Sequence, residues 1–168
     1  MPGLSEKNLD KRGYGQLELN QVAFRRDGRI EAQRQLAEGI ERAENGMLLV
    51  VNPKNNAIEL PNEENVTLGT IALHYSAEHM YDNRANSLKD FVLEAHSFLP
   101  RLGYLSIGDK YTTNTVRHNY DTDEELFRVI NSGTLLFAHP HSTGYHYLNE
   151  NPVGAIAVAL YVTTMPDG

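Results

Sequence analysis

Residues 47–60 have the sequence MLLVVNPKNNAIEL, and this stretch decides the fold class. It opens with the apolar run 47–51, continues through the turn-forming residues 53–56, and returns to apolar character over 57–60. Two short apolar runs separated by a four-residue turn predict an antiparallel β-hairpin. The hairpin favours a β-rich fold for the chain around it.

Further short apolar or alternating runs flank this hairpin. We predict strands over residues 16–24, 30–36, 70–75, 91–99, 103–107, 110–116, 134–138 and 155–164. Asp27 and Gly28 separate the first two runs and predict a tight hairpin turn, because both residues tolerate a positive φ. A helix competes over residues 31–44, EAQRQLAEGIERAE, which are rich in helix formers and place Leu36 and Ile40 four positions apart. We favour a strand through about Leu36.

One short helix has clear end signals, over residues 122–133. Thr122 suits the N-cap, Glu125 stands three residues later and completes a capping box, and Gly133 suits the C-terminal end.

Many short strands, few helices and frequent turns predict a mainly β, antiparallel fold, either a β-sandwich or a small β-barrel, with one or two short helices.

The 168 residues have the length of one domain. Residues 1–15 combine charge with Gly and Pro and have no sustained apolar period, so we predict an N-terminal arm or tail. Residues 16–168 are predicted to form a single β-rich domain.

Composition excludes several classes of function. The chain has no cysteine, which excludes disulfides, thiolate metal sites and cysteine nucleophiles. Its formal net charge of −7 argues against a nucleic-acid partner, because phosphate binding requires a basic surface. No apolar run approaches the ~18 residues that span a bilayer, so no membrane is expected. The N-terminal residues lack the apolar core of a signal peptide, and we expect synthesis and assembly in a cytoplasm.

Three of the seven histidines lie close together in AHPHSTGYHY, residues 138–147. His139, His141 and His146 suit a three-histidine zinc site that activates water, so a metal-dependent hydrolase is one hypothesis. Pro140 interrupts the element, however, and no second segment completes a known zinc pattern. We therefore favour a plain polar loop and predict no metal and no cofactor.

A second polar cluster, HYSAEHMYD, covers residues 74–82. Its two histidines are five positions apart, which matches no HExxH motif, and Ser76 does not stand in a GxSxG elbow. Phosphate-binding glycine motifs are also absent from the sequence. We predict no catalytic residue, and a protein that is not an enzyme.

Two long blocks and two shorter ones carry a family resemblance. The long blocks are HYSAEHMYDNRANSLKDFVL (74–93) and FLPRLGYLSIGDKYTTNTV (98–116), and the shorter ones are GQLELNQVAFRRDGRIEAQ (15–33) and VTTMPDG (162–168). Together they resemble head decoration (capsid cement or auxiliary) proteins of tailed phages and prophages of Gram-positive bacteria, encoded next to the major capsid gene. The blocks together hold 65 of the 168 residues, whereas residues 119–151 carry no resemblance.

This resemblance implies a structural virion protein that binds and stabilises the outer face of a capsid. It implies the major capsid protein as partner, a homo-oligomer with a trimer foremost, and a place on the capsid exterior after assembly in the host cytoplasm. A tail or head–tail connector component is the alternative structural role. From the composition of the arm, the first turn and the loop 76–90, the candidate contact residues are Tyr14, Arg25, Arg26, His79, Tyr81 and Arg84.

Overall fold

The structure is a computed structural model that describes residues 7–11, 13–62, 64–65, 70–76, 90–94, 99–118, 121–122, 124–125, 128, 135–138, 144–147 and 157–158. Short strands dominate these residues. They are β1 (Lys7–Asn8), β2 (Leu17–Gln21), β3 (Ile30–Glu31), β4 (Gln35–Leu36), β5 (Arg42–Glu44), β6 (Leu48–Asn52), β7 (Ala57–Glu59), β8 (Thr70–His74), β9 (Val92–Glu94), β10 (Leu102–Gly103), β11 (Lys110–Thr113), β12 (Val116–His118), β13 (Leu135–Ala138), β14 (His146–Tyr147) and β15 (Ala157–Val158). A one-turn helix, α1, spans Ala23–Asp27.

Two larger sheets carry most of these strands. The first has six strands in the order β3-β10-β8-β6-β7-β4, and the second has five in the order β1-β12-β14-β13-β15. Two ribbons, β2–β11 and β5–β9, complete the described architecture. Pairs are antiparallel apart from β4–β7 and β12–β14. The predicted mainly β, antiparallel fold is confirmed, and its sheets are not closed into a barrel.

The hairpin predicted from residues 47–60 is confirmed as β6 and β7. Val51 pairs with Ile58, and Asn52 pairs with Ala57. Strand β6 lies in the interior of the six-stranded sheet, between β8 and β7. Because successive side chains of a strand point to opposite faces of the sheet, Leu49 and Leu48 pack into two different apolar clusters. Both faces of this strand are therefore buried, which explains its continuous apolar sequence.

Two apolar clusters form the core. The larger consists of Leu36, Ile40, Ala43, Met47, Leu49, Val51, Ile58, Ala72, Leu93, Leu102 and Tyr145. The smaller consists of Phe24, Leu48, Leu73 and Tyr75.

Residues 31–44 form no helix, and the predicted strand through Leu36 is confirmed in part by β3 and β4. Leu36 and Ile40, the pair that suggested a helix, both pack into the larger cluster, Leu36 from β4 and Ile40 from the end of a turn in which its N–H donates to the Ala37 carbonyl.

The hairpin predicted at Asp27 and Gly28 is wrong. β2 pairs with β11 and β3 pairs with β10, so the two flanking strands do not meet. Gly28 has a φ of 69° and ends α1, donating its N–H to the carbonyl of Phe24. The physical reason is Phe24, which is fully buried with its ring centroid 5.1 Å from that of Tyr75. Helical backbone turns this side chain into the core, and glycine's left-handed conformation ends a helix instead of forming a hairpin turn.

The remaining predicted elements are shorter in the structure, or partly outside the described residues. The run 91–99 contains β9, the run 103–107 overlaps β10 only at Gly103, and the run 110–116 divides between β11 and β12. Thr122 accepts the Glu125 N–H at 3.1 Å, as a capping box requires. Most of the helix predicted over 122–133 lies outside the described residues. In the part of the chain that is described, no helix has the length and apolar character needed to cross a bilayer.

The second half of the predicted N-terminal arm is attached to the body of the protein. Lys7 pairs with His118 and Asn8 with Arg117, which makes β1 an edge strand of the five-stranded sheet. The Leu9 N–H donates to the Val116 carbonyl at 2.8 Å. Residues 1–6 lie outside the described residues.

Candidate functional site

Buried polar side chains meet where the turn between β5 and β6 contacts both large sheets. We call this cluster the polar junction; its members are Glu44, His74, Ser76, Thr115, Tyr145 and His146, all less than a tenth exposed. At its centre Gly46 donates its N–H to the His74 carbonyl at 2.9 Å and accepts the Thr115 hydroxyl at 2.8 Å. Gly46 has a φ of 86°, and a Cβ there would lie 2.8 Å from the Thr115 hydroxyl oxygen. The two sheets are thus joined through backbone that requires glycine.

His146 is a buried histidine with both ring nitrogens occupied. Its Nδ1 lies 3.2 Å from the Thr115 carbonyl oxygen, and its Nε2 lies 2.8 Å from the Tyr111 hydroxyl. A carbonyl can only accept, so Nδ1 carries the proton and Nε2 accepts from Tyr111. Burial lowers the pKa of His146 to about 4, although the Thr115 contact acts in the opposite direction. The imidazole is therefore neutral near neutral pH.

This arrangement bears directly on the three-histidine metal hypothesis. His139 and His141 lie outside the described residues. His146 would have to break a hydrogen bond to Tyr111 or Thr115 before it could bind a metal ion. Among the described residues, no three His, Cys, Asp or Glu side chains stand close enough to share a metal.

His74 and Ser76 form a hydrogen-bonded pair that the sequence motifs did not indicate. The Nδ1 of His74 donates to the Glu44 carbonyl at 2.7 Å, and its Nε2 lies 2.8 Å from the Ser76 hydroxyl oxygen. The Ser76 oxygen also accepts the Arg101 N–H at 2.9 Å. A serine donating to an imidazole is the first element of nucleophilic catalysis. Both side chains are fully buried, however, and here the pair connects the end of β8 to β5 and to the segment before β10.

Glu44 holds the N-terminal segment against the body of the protein. Its carboxylate forms an ion pair with Lys11, accepts the Tyr145 hydroxyl at 2.9 Å and accepts the Gly15 N–H at 2.6 Å. Lys11 also donates to the Tyr145 hydroxyl at 2.8 Å. Burial, and then the negative charge of Glu44, raise the pKa of Tyr145 well above its usual value. A buried ion pair with its remaining groups satisfied fixes one geometry, since breaking it leaves a charge unpaired.

The predicted contact residues do not form one site in the described part of the chain. Tyr14 lines an open concavity of about 440 Å³, with the guanidinium of Arg42 5.5 Å from its ring centroid. Arg26 lies in α1 and is exposed, with its guanidinium 2.8 Å from the Asp27 carboxylate. Arg25 also belongs to α1, but its side chain is not among the described ones. His79, Tyr81 and Arg84 lie outside the described residues.

An exposed apolar turn next to α1 was missed by the sequence analysis. Ile107 is fully exposed at its tip. The Asp109 carboxylate holds the turn, because it accepts the Ser106 N–H at 2.8 Å and the Ala23 N–H at 2.6 Å. We call residues 106–109 the Ile107 turn. The signal available in the sequence was an isoleucine directly before the turn-forming pair Gly108 and Asp109.

Comparison with protein-family models, with curated proteins and with solved structures finds no match to this chain. The side chains of the polar junction are buried in structural contacts, whereas Arg26 and Ile107 are presented to solvent.

Proposed function

We propose that this chain is a structural virion protein that binds and stabilises the outer surface of a tailed-phage capsid, as a head decoration protein. The major capsid protein is its partner in this proposal. Support comes from the sequence blocks that resemble such proteins, and from the mainly β fold, which suits a rigid body on a lattice.

The observation that carries the proposal is that the potentially reactive side chains of the polar junction are engaged in structural hydrogen bonds. The rings of His74 and His146 each bond through both nitrogens, and Ser76 and Glu44 bond to backbone and side-chain groups around them. These contacts join the two large sheets and the N-terminal segment. Satisfied buried polar networks favour one rigid arrangement over many similar ones. Rigidity is what a protein needs in order to keep neighbouring capsid subunits at a fixed spacing.

Tyr14 is the residue for which a capsid contact is best supported. It is half-buried beside Arg42, and both line the concavity that also includes Val92 of β9. Tyrosine and arginine are the residue types most often found at energetic centres of protein interfaces. The surface lies close in sequence to Lys11 and Gly15, which Glu44 holds in place. We propose that this surface contacts the capsid.

Cosedimentation with empty capsids, assembled from the major capsid protein encoded beside this chain, tests the proposal. We expect saturable binding at micromolar concentrations, with a fixed number of copies per capsid. Tyr14→Ala is expected to weaken binding by about tenfold or more, as at other interface centres. Glu18→Gln, an exposed change on β2 outside the concavity, is the matched control and should bind as the unaltered protein does. Unaltered protein that stays in the supernatant would contradict the proposed function.

A further inference from the structure

The Ile107 turn is a rigid, exposed apolar projection with a basic surround. Ile107 is fully exposed, and the hydrogen bonds of Asp109 hold the turn that carries it in one position. Besides the two Asp109 contacts, the Arg29 guanidinium donates to the Ser106 hydroxyl and so fixes the turn to the segment after α1. Ordering such a turn on binding costs little entropy, because it is already ordered.

Two arginine side chains stand beside this projection. Arg26 and Arg29 are both exposed, and both lie near Asp27, at 2.8 Å and 3.5 Å. With the exposed Lys110, which follows the turn, three cations stand against the carboxylates of Asp27 and Asp109. This end of the molecule therefore has an excess of one positive charge while the whole chain has a net charge of −7. The complementary surface is an apolar depression with an acidic rim.

The chain itself carries such a depression. An open groove of about 480 Å³ lies beside β4 and β7. Its apolar lining is Ala37, Ile40 and Leu60, and its acidic lining is Glu38, Glu59 and Glu64, with Lys54 as the one cation among the lining residues. Hydrogen bonds from the amides of Asn55, Asn52 and Asn65 hold the pKa of Glu59 below its usual value. The groove therefore keeps a negative charge near neutral pH.

The projection cannot enter the groove of its own molecule. The Ile107 turn follows β10 and is bonded to the segment leading to β3, at one edge of the six-stranded sheet. The groove lies beside β7 and β4, at the other edge. Five strand spacings separate β3 from β4, which corresponds to ~24 Å. The groove can therefore receive this turn only from another molecule.

We propose that the groove beside β4 and β7 binds the Ile107 turn of a second copy of this chain. Ile107 enters the apolar lining, and Arg26 and Arg29 face the acidic rim. The two surfaces differ, so the contact is head-to-tail, and repeated contacts give a closed ring or an open chain depending on the rotation between copies. This inference concerns the protein alone and does not depend on capsid binding.

Sedimentation velocity of the purified full chain over a concentration series tests the inference. We expect self-association in the micromolar to submillimolar range that weakens as salt screens the charged rim. Ile107→Asp should weaken it by about tenfold to a hundredfold, which corresponds to the loss of one buried isoleucine. Its thermal unfolding should be unchanged, because the side chain is fully exposed in the free protein. Leu99→Asp alters an exposed apolar residue outside both surfaces and serves as the control.

A mixing experiment distinguishes a head-to-tail contact from any other kind of association. Ile107→Asp removes the projection but leaves the groove, whereas Glu38→Arg reverses a groove charge but leaves the projection. Each variant alone should remain monomeric, and an equimolar mixture should form dimers that grow no further. Unaltered protein that is monomeric throughout, an Ile107→Asp variant that associates normally, or a mixture without dimers would each overturn the inference.

Discussion

Protonation of His146 should destabilise the fold as the pH falls. The side chain is 1% exposed, donates from Nδ1 to the Thr115 carbonyl and accepts the Tyr111 hydroxyl at Nε2. A proton added at Nε2 would face the hydrogen of the Tyr111 hydroxyl. The hydroxyl oxygen can accept it only after that hydrogen has rotated away. The unfavourable second protonation agrees with the pKa of His146 in the folded state, which burial lowers to about 4.

The sign and size of this loss of stability follow from the pKa values of His146 in the folded and in the unfolded chain. An unfolded histidine has a pKa near 6.5, so between about pH 6.5 and pH 4 the unfolded chain binds the proton more tightly than the folded one. The stability present above pH 6.5 is therefore lost as the pH falls toward 4. The loss is about 2 kcal/mol by about pH 5 and about 3 kcal/mol by about pH 4. That is a large fraction of the ~5–15 kcal/mol that stabilises an ordinary domain.

Urea unfolding at about pH 7.5 and about pH 5 measures the effect while most carboxylates remain ionised. The free energy of unfolding of the unaltered protein should fall between these two conditions by about 2 kcal/mol more than that of His146→Gln, which cannot titrate. Nitrogen NMR of the imidazole at about pH 5 should detect a proton on Nδ1 alone. Equal pH dependence of the two proteins, or a His146 that titrates near 6.5, would refute the reasoning.

Two further predictions concern the backbone and the charges of the polar junction. Gly46→Ala should lower the free energy of unfolding by about 2–4 kcal/mol, because the new Cβ combines left-handed strain with overlap at the hydroxyls of Thr113 and Thr115. Gly28→Ala, which has the same strain but open space around it, should cost only about 1 kcal/mol, and equal losses would contradict the steric argument. Glu44→Ala should cost about 3 kcal/mol by leaving the Lys11 ammonium buried without its partner. Adding Lys11→Met to that variant should restore part of the loss in chemical denaturation, and strictly additive losses would contradict the proposed pairing.

The parts of the fold that were predicted correctly are those that depend on neighbours in sequence. The β6–β7 hairpin follows from residues 47–60, where the turn and both strands lie within fourteen positions. The contact of Thr122 with the Glu125 N–H is likewise local. The pairing of β1 with β12 joins residues about 110 positions apart, and no local pattern specifies it. The hairpin at Gly28 failed because the burial of Phe24, a distant contact, decides the backbone there.

The candidate sites were harder to predict, for a related reason. A histidine in a polar segment has the same sequence signature whether it lies at the surface or in the core. His146 was considered as a metal ligand because of its spacing from His139 and His141, yet its ring is occupied by Tyr111 and Thr115. These partners stand more than thirty positions away in the chain, so the spacing of histidines contains no information about them. Arg26, in contrast, is exposed, as its charged neighbours Arg25 and Asp27 indicate, although it lies in α1 and not in the predicted hairpin turn.

The central claim is that this chain decorates a capsid, and an image of the virion tests it most directly. A cryo-EM reconstruction of purified particles from the phage proposed to encode this chain should contain density for it repeated over the whole outer surface. That density should be lost from particles made without the chain, while the capsid underneath keeps its lattice. Density confined to a single vertex or to the tail, or particles without the chain at any position, would contradict the claim.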